Sequence, residues 1–312
     1  MAEVIFAYNG EETLIQCKPE DKLRDICEKF CVKIKTDINR LIFIYGEEIL
    51  NLELTFNEVH NEIDKKNFLL LFVYIDEINI IYKTEEKGKQ RIFGKKFVEN
   101  NKKNIELIIN DNKSKLVEEY DLEKGENNIK IKIKSNLTNL SQMFYDCKTL
   151  YNINELKFLD VSNCTSFSCV FYDCYKLSDI KSLEKWDVSK CNVFSCMFYG
   201  CSSLSDIKPL EKWDVSNCTD FGCMFYGCSS LSDIKALEKW DVSKGYYFSQ
   251  LFCQCSSLSD IRSLEKWNVT KVNNFQCMFY ECSSLSDIKS LEKWDVSKCI
   301  NFSCMFRDCS SL

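Results

Sequence analysis

The stretch Leu204-Ser-Asp-Ile207-Lys-Pro-Leu210-Glu-Lys-Trp213-Asp-Val215-Ser-Asn-Cys218-Thr-Asp-Phe221-Gly-Cys223-Met224-Phe225-Tyr-Gly-Cys228 returns, with few changes, every 27 residues. Trp186, Trp213, Trp240, Trp267 and Trp294 mark the repeat, as do Cys147, Cys174, Cys201, Cys228, Cys255, Cys282 and Cys309. The leucine three residues after each of those cysteines recurs from Leu150 to Leu312. The large apolar side chains of one unit are worth roughly 10 to 20 kcal/mol if fully buried. Ordering a unit of this length costs on the order of 40 kcal/mol. A single copy therefore cannot fold alone, and burial has to be shared by stacking each copy on its neighbours. The repeat thus predicts a solenoid of 27-residue turns over 137–312.

Within a turn, Leu204-x-x-Ile207-x-x-Leu210 predicts a short strand and the bend leaving it. Asp214 has the residue type of a helix N-cap. Val215, Cys218, Phe221 and Met224 follow at a spacing of three, which predicts a 3₁₀ or short α segment on the outer side. The repeat length lies in the ~20–29 residue range of leucine-rich repeats. The string Met224-Phe225-Tyr226-Gly227-Cys228-Ser229-Ser230-Leu231, followed by Trp240-Asp241-Val242-Ser243, resembles the BspA-like leucine-rich repeat family, also known as a mycoplasma-type domain of unknown function. The resemblance implies a leucine-rich-repeat architecture and, for function, only binding: family members are often surface proteins implicated in adhesion, while others look cytosolic. The chain departs from the family pattern at Cys191 and Cys218, which replace valine, and at Cys196 and Cys223, in a column that is usually polar.

Residues 1–75 read differently. Val4–Tyr8 and Thr13–Cys17 predict two strands around Asn9-Gly10, a hairpin signal. Pro19-Glu20-Asp21 opens a helix whose apolar face is Leu23, Ile26, Cys27, Phe30, Cys31 and Ile34. Arg40-Leu41-Ile42-Phe43 and Phe68–Tyr74 predict further strands. This order, and Arg40-Leu41-Ile42-Phe43 followed by Gly46, is similar to ubiquitin-like domains, which implies a β-grasp fold. In that resemblance Ile42 and Leu71 match the hydrophobic patch through which such domains bind partners. Residues 76–136 alternate apolar and polar positions, as in Ile129-Lys-Ile131-Lys-Ile133, and read as a β-rich linker and N-terminal cap of the stack. The expected fold class is therefore α+β: a β-grasp domain, a β-rich cap, then the repeat solenoid.

The net charge of −6 is mild, and no dense basic patch interrupts it, so nucleic-acid binding is not expected. Phe68–Ile75 is the longest apolar run, far too short for a membrane span. Met1–Ala7 has no secretory pattern, and with Ala2 in place of glycine no myristoylation signal. A cytoplasmic protein with reduced thiols is expected, with a cell-surface adhesin as the alternative. In the alternative, sequons such as Asn217-Cys-Thr219 would be glycosylated. Leu312 opens a further copy, so continuation of the chain or end-to-end association is expected there.

Neither a catalytic set, a cofactor nor a metal is expected. His60 is the single histidine, and it lies in a polar stretch. The 20 cysteines fall largely into three columns, typified by Cys191, Cys196 and Cys201, and two of those columns exchange with Gly245, Val272, Gln142 and Gln250. Ligands would not tolerate such exchange. Packing is the favoured role, and disulfides between like columns of adjacent turns are conceivable. An enzyme of the ubiquitin pathway acting through cysteine is the weakest reading. Asp187, Asp214, Asp241 and Asp295 read as caps rather than calcium ligands. The candidate partner-binding residues are Asp179, Asp206, Asp233, Asp260 and Asp287 beside Lys181, Lys208, Lys235, Arg262 and Lys289. Placed two apart on a strand, they would form acidic and basic stripes on a concave face, suited to an extended or repetitive protein partner. Tyr172, Tyr199, Tyr226 and Tyr280 form an aromatic column that either meets a partner or covers the hydrophobic edge.

Overall fold

The computed structural model of the chain describes residues 2–8, 11–34, 38, 41–45, 48–59, 68–75, 77–134 and 137–312; Asn9, Gly10, Arg40, Gly46 and His60 lie outside them. The architecture is mixed α/β, with few helices and sheets that do not close. Contacts divide the chain into two compact units, Met1–Ile78 and Asn79–Leu312.

In the first unit, β1 (Ala2–Tyr8), β2 (Glu11–Cys17), β3 (Leu41–Tyr45), β4 (Glu48–Ile49) and β5 (Phe68–Ile75) form a sheet in the order β2-β1-β5-β3-β4. β1 runs antiparallel to β2 and parallel to β5, and β3 is antiparallel to β5. The helix α1 (Leu23–Ile34) buries Leu23, Ile26, Cys27, Phe30 and Cys31. That is the i, i+3, i+4 face read from the sequence, since those positions share one side of a helix. Phe30 stacks on Phe6 of β1 with ring centroids 4.3 Å apart. A short helix, α2 (Phe56–Val59), precedes β5.

The second unit begins within β6 (Glu77–Thr84) and continues through β7 (Gly88–Arg91), α3 (Lys95–Asn101), β8 (Ile105–Ile109), β9 (Asn112–Lys115), β10 (Glu119–Leu122) and β11 (Gly125–Ile133). β12 (Leu150–Asn152), in the first repeat copy, joins them: one sheet runs β12-β6-β11-β8-β9 and β10 pairs with β7. The cap segment is thus hydrogen-bonded to the repeats, with Lys83 N–H donating to Thr149 O at 2.8 Å and Gly94 N–H to Met143 O at 3.1 Å. Phe93 continues the repeat's phenylalanine column, its ring 5.8 Å from that of Phe144. Position 94 must be glycine, because a Cβ there would lie 2.1 Å from Gln142 O.

From 137 onward, equivalent residues of successive copies bond to one another. Parallel bridges join Ser166 to Val193, Val193 to Asp220, Asp220 to Tyr247, Tyr247 to Asn274 and Asn274 to Asn301. Next to each bridge, alternate N–H groups reach the following copy: Phe221 to Tyr247 O (3.0 Å), Cys223 to Ser249 O (2.9 Å), Phe225 to Leu251 O (3.0 Å) and Gly227 to Cys253 O (2.8 Å). The intervening N–H groups turn back three residues, as in Met224 to Phe221 O at 3.2 Å and Tyr226 to Cys223 O at 3.1 Å. Two residues in each run sit in the left-handed region to make this possible, for example Cys223 at φ 56° and Gly227 at φ 70°. Gly222 N–H donates instead to Asp220 Oδ1 at 2.9 Å, so every backbone donor from 221 to 227 has a partner, as a buried backbone requires.

This corrects the expectation for the two sides of a turn. Leu204 to Ile207 carries no ladder; the segment leads into a 3₁₀ helix at Lys208–Leu210, and the ladder between copies lies at 220–227. The physical reason is the spacing. Leu204, Ile207 and Leu210 are all buried, and apolar residues three apart cannot share one face of a strand, whose period is two. They can share the inner side of an extended link and a 3₁₀ corner.

The core between the two sides consists of columns. Phe198, Phe225 and Phe252 stack at 5.7 and 5.8 Å with nearly parallel rings. Each tryptophan closes the neighbouring copy: Trp213 Nε1 donates to Leu183 O at 2.9 Å and Trp240 Nε1 to Leu210 O at 3.0 Å.

Candidate functional site

The 3₁₀ corners lie at Lys181–Lys185, Lys208–Leu210, Lys235–Leu237, Arg262–Leu264 and Lys289–Leu291. The aspartate two residues before each of them accepts from its first N–H. Asp179 Oδ1 takes Lys181 N–H at 2.8 Å, Asp206 takes Lys208 at 2.8 Å, Asp233 takes Lys235 at 2.7 Å, Asp260 takes Arg262 at 2.9 Å and Asp287 takes Lys289 at 2.8 Å. This is a local Asx turn, of the kind that supplies a partner to a helix's first donors. The acidic and basic residues therefore do not stand on one face of a strand, as the sequence suggested. They flank the entrance to a corner, with one carboxylate oxygen committed to the backbone. All ten side chains are nevertheless exposed.

Two shallow clefts open between neighbouring corners. The first, of about 430 Å³, is lined by Asp206, Lys208, Asp233 and Lys235 together with Glu211, Glu238 and Lys239. The second, of about 560 Å³, is lined by Asp260, Arg262, Asp287 and Lys289 with Glu265 and Lys293. Eight of the ten predicted residues thus meet in pairs of adjacent copies. Arg262 folds back on its own aspartate, with Nη2 2.5 Å from Asp260 Oδ2, and this guanidinium holds the Asp260 carboxyl below the usual range.

A second set of charges was missed in the sequence. Lys212 pairs with Glu184 at 3.4 Å, Lys239 with Glu211 at 3.2 Å, Lys266 with Glu238 at 3.5 Å and Lys293 with Glu265 at 2.5 Å. Each pair ties one copy to the next, and both members of Lys239–Glu211 and Lys293–Glu265 line the clefts. The signal was the Glu-Lys preceding every tryptophan, as in Glu211-Lys212-Trp213. The lysines are about three-quarters exposed, 76–77%, so the pairs add little stability. Both clefts carry charges of both signs, with one more acidic than basic residue in the first and equal numbers in the second.

The remaining candidates fall elsewhere. Leu71 is fully buried in the first unit. It lies in β5, and a fully buried side chain cannot contribute to a surface patch. The side chain of Ile42 lies outside the described residues. Tyr145, Tyr172, Tyr199 and Tyr226 form a continuous half-buried stack with ring centroids 4.3–4.5 Å apart. Asp187, Asp214, Asp241 and Asp295 each accept the N–H two residues on, at 3.0–3.1 Å, and Asn268 does the same for Thr270.

The invariant cysteine column is buried, and its thiols also donate. Cys201 Sγ reaches Phe171 O at 3.1 Å, Cys228 reaches Phe198 O at 3.2 Å and Cys255 reaches Phe225 O at 3.1 Å, each one copy back. Burial pushes these thiols well above their usual range. Cysteine fits because it is small enough for the core and still meets a carbonyl there. Among the described residues no group of three or more His, Cys, Asp or Glu is arranged to hold a metal, and no helix is long and apolar enough to cross a membrane.

No curated protein matches the chain. Among solved structures it is similar to one described as "Crystal structure of ATBAG1 in complex with HSP70", at 10% identity and a TM-score of 0.22, covering 24% of this chain and 41% of that one. The chain thus spans less than half of that structure's length, and a likeness this slight carries no statement about fold or function. The repeats are matched differently: the family described as "Mycoplasma protein of unknown function, DUF285" covers residues 114–233 and again 205–312, more than half of the chain, and the chain belongs to that family.

Proposed function

We propose that the protein is a non-enzymatic, cytoplasmic protein-binding scaffold, and that its repeats form a solenoid of 27-residue turns behind a ubiquitin-like β-grasp domain. The observation that carries the functional reading is the convergence of the Asp and Lys/Arg columns in the clefts between neighbouring corners. The bonds between equivalent residues of successive copies support the solenoid. The parallel pairing of β1 with β5 across a sheet packed on α1 supports the β-grasp. Buried thiols used as packing groups and donors support a reducing compartment. The working part is a ridge, not a pocket: the same charges recur at each copy, so the partner is an extended protein segment that meets several copies at once.

The test is capture of binding proteins by the intact chain from extracts of its own cells, beside a Lys208→Glu, Lys235→Glu variant. These lysines are exposed, and their replacement leaves the aspartate turns intact. A protein retained by the native chain and lost by the variant is the expected result. Indistinguishable captures would overturn the assignment of the ridge.

A further inference from the structure

The middle cysteine column is unlike the buried one. Cys169, Cys196 and Cys223 are half-exposed, sit at φ 55–56° and occupy the same place in three successive copies. The backbone holds them in register, with Cys169 N–H on Ser195 O and Cys196 N–H on Gly222 O, both at 2.9 Å. The register sets each thiol beside the next in the row, Cys169 beside Cys196 and Cys196 beside Cys223, close enough for each to bias its neighbour's charge. Gln250 then interrupts the column, its Oε1 accepting from Cys223 Sγ at 3.1 Å. Beyond it, Cys277 and Cys304 occupy the same column one copy apart, held in register by Cys277 N–H on Ser303 O at 2.9 Å.

Hydrogen-bonded neighbours one ladder step apart have Cα atoms ~4.8 Å from each other, inside the ~4.4–6.8 Å span of a disulfide. Residues two copies apart are at twice that distance and cannot be bridged. We propose that this row is an oxidation site, in which a low-molecular-weight disulfide converts Cys196 and Cys223 into a cross-link between adjacent repeat copies. Cys223 gives up its proton and its sulfur attacks one sulfur of the small disulfide, forming a mixed disulfide, while the other half leaves and takes up that proton as a small thiol. Cys196 Sγ then attacks the Cys223 sulfur and expels the second half, while the Cys196 proton passes to the departing thiolate. Two protein thiols are oxidised and one small disulfide is reduced to two small thiols. Interaction with the neighbouring Cys196 thiol lowers the Cys223 thiol, whereas Cys169 and Cys196 are raised, which favours Cys223 as the first to attack. The invariant buried column takes no part, because its thiols point at carbonyls in the core.

The intact chain is incubated with excess oxidised glutathione, free thiols are trapped with iodoacetamide under denaturing conditions, and peptides from a non-reducing digest are mapped by mass spectrometry. A Cys196–Cys223 link and a Cys277–Cys304 link are expected, with Cys201 and Cys228 alkylated. Cys223→Ser moves the first link to Cys169–Cys196. Cys196→Ser abolishes linking among the remaining two and leaves Cys277–Cys304 as proof that the variant is folded and oxidised. Glutathione adducts without links, full alkylation of the row, or a Cys169–Cys223 link in the Cys196→Ser chain would each overturn the proposal.

Discussion

The phenylalanine column offers a quantitative test of whether neighbouring copies stabilise one another. Phe225 is fully buried, and its ring lies 5.8 Å from that of Phe252 with an interplanar angle of 2°. Phe225→Leu and Phe252→Leu keep an apolar side chain in each place and remove the ring-on-ring contact. Such a pair is worth about 0.5–1.5 kcal/mol beyond the area it buries. Each single variant loses the whole of that contact, whereas the second substitution has no ring contact left to lose. The double variant should therefore be less destabilised than the sum of the singles by about 0.5–1.5 kcal/mol. Phe171 and Phe279 supply the control. Four ring steps separate them, far beyond the ~7–10 Å within which substitutions couple, so their changes should add. The assay is urea denaturation of the four chains in each cycle, followed by tryptophan fluorescence. Additivity in both cycles would refute the reasoning, since it would mean that the stack transmits no energy from copy to copy.

Three further outcomes follow from the same structure. Asp206→Ala removes the acceptor for Lys208 N–H and should cost about 1 kcal/mol, as loss of a capping side chain does, while Lys208→Ala should change stability by less than about 0.5 kcal/mol; thermal denaturation separates the two. Trp213→Phe keeps the apolar body and removes the donor to Leu183 O, so it should cost about 0.5–1.5 kcal/mol from the hydrogen bond, read by chemical denaturation. Asp220 is half-buried, and burial raises its carboxyl, although Gly222 N–H donates to it at 2.9 Å. A carboxyl raised in the folded state contributes stability below its unfolded value of about 3.9, and that contribution is lost as pH rises through the folded value. Asp220→Asn, the residue found at Asn274 and Asn301 in the same column, should therefore raise Tm at pH 7. The gain should vanish or reverse near pH 3, and a gain independent of pH would contradict the assignment.

The repeat itself was legible because its columns recur at a fixed spacing and each maps to one physical role. Phe225 stacks, Trp213 reaches one copy back, Asp214 closes a turn and Cys228 fills the core. The order of elements in the first unit was legible from α1, whose buried face matches the sequence at Leu23, Ile26, Cys27, Phe30 and Cys31. The side of the turn that carries the ladder was not. Its run sets two left-handed residues, such as Cys223 and Gly227, among ordinary ones, and no period of two or of 3.6 marks such a conformation. Polar and thiol residues at positive φ were visible only as a column that exchanges cysteine with glutamine. The charged corner was legible as residues but not as geometry, because Asp206 and Lys208 suit a strand face and an Asx turn equally well by spacing. Leu71 was misplaced because the apolar run Phe68–Ile75 holds no polar residue to mark which of its side chains is buried.

The account rests on the ladder lying at 220–227 and the charges at 3₁₀ corners. Residue-resolved amide hydrogen exchange tests this most directly. Strong protection is predicted for the N–H groups of Phe221, Cys223, Phe225 and Gly227, which bond to the next copy, with fast exchange at exposed Ser205 and Asp206. Protection across 204–207 with rapid exchange across 221–227 would place the ladder on the other side of the turn and return the charged residues to a sheet face, contradicting the account.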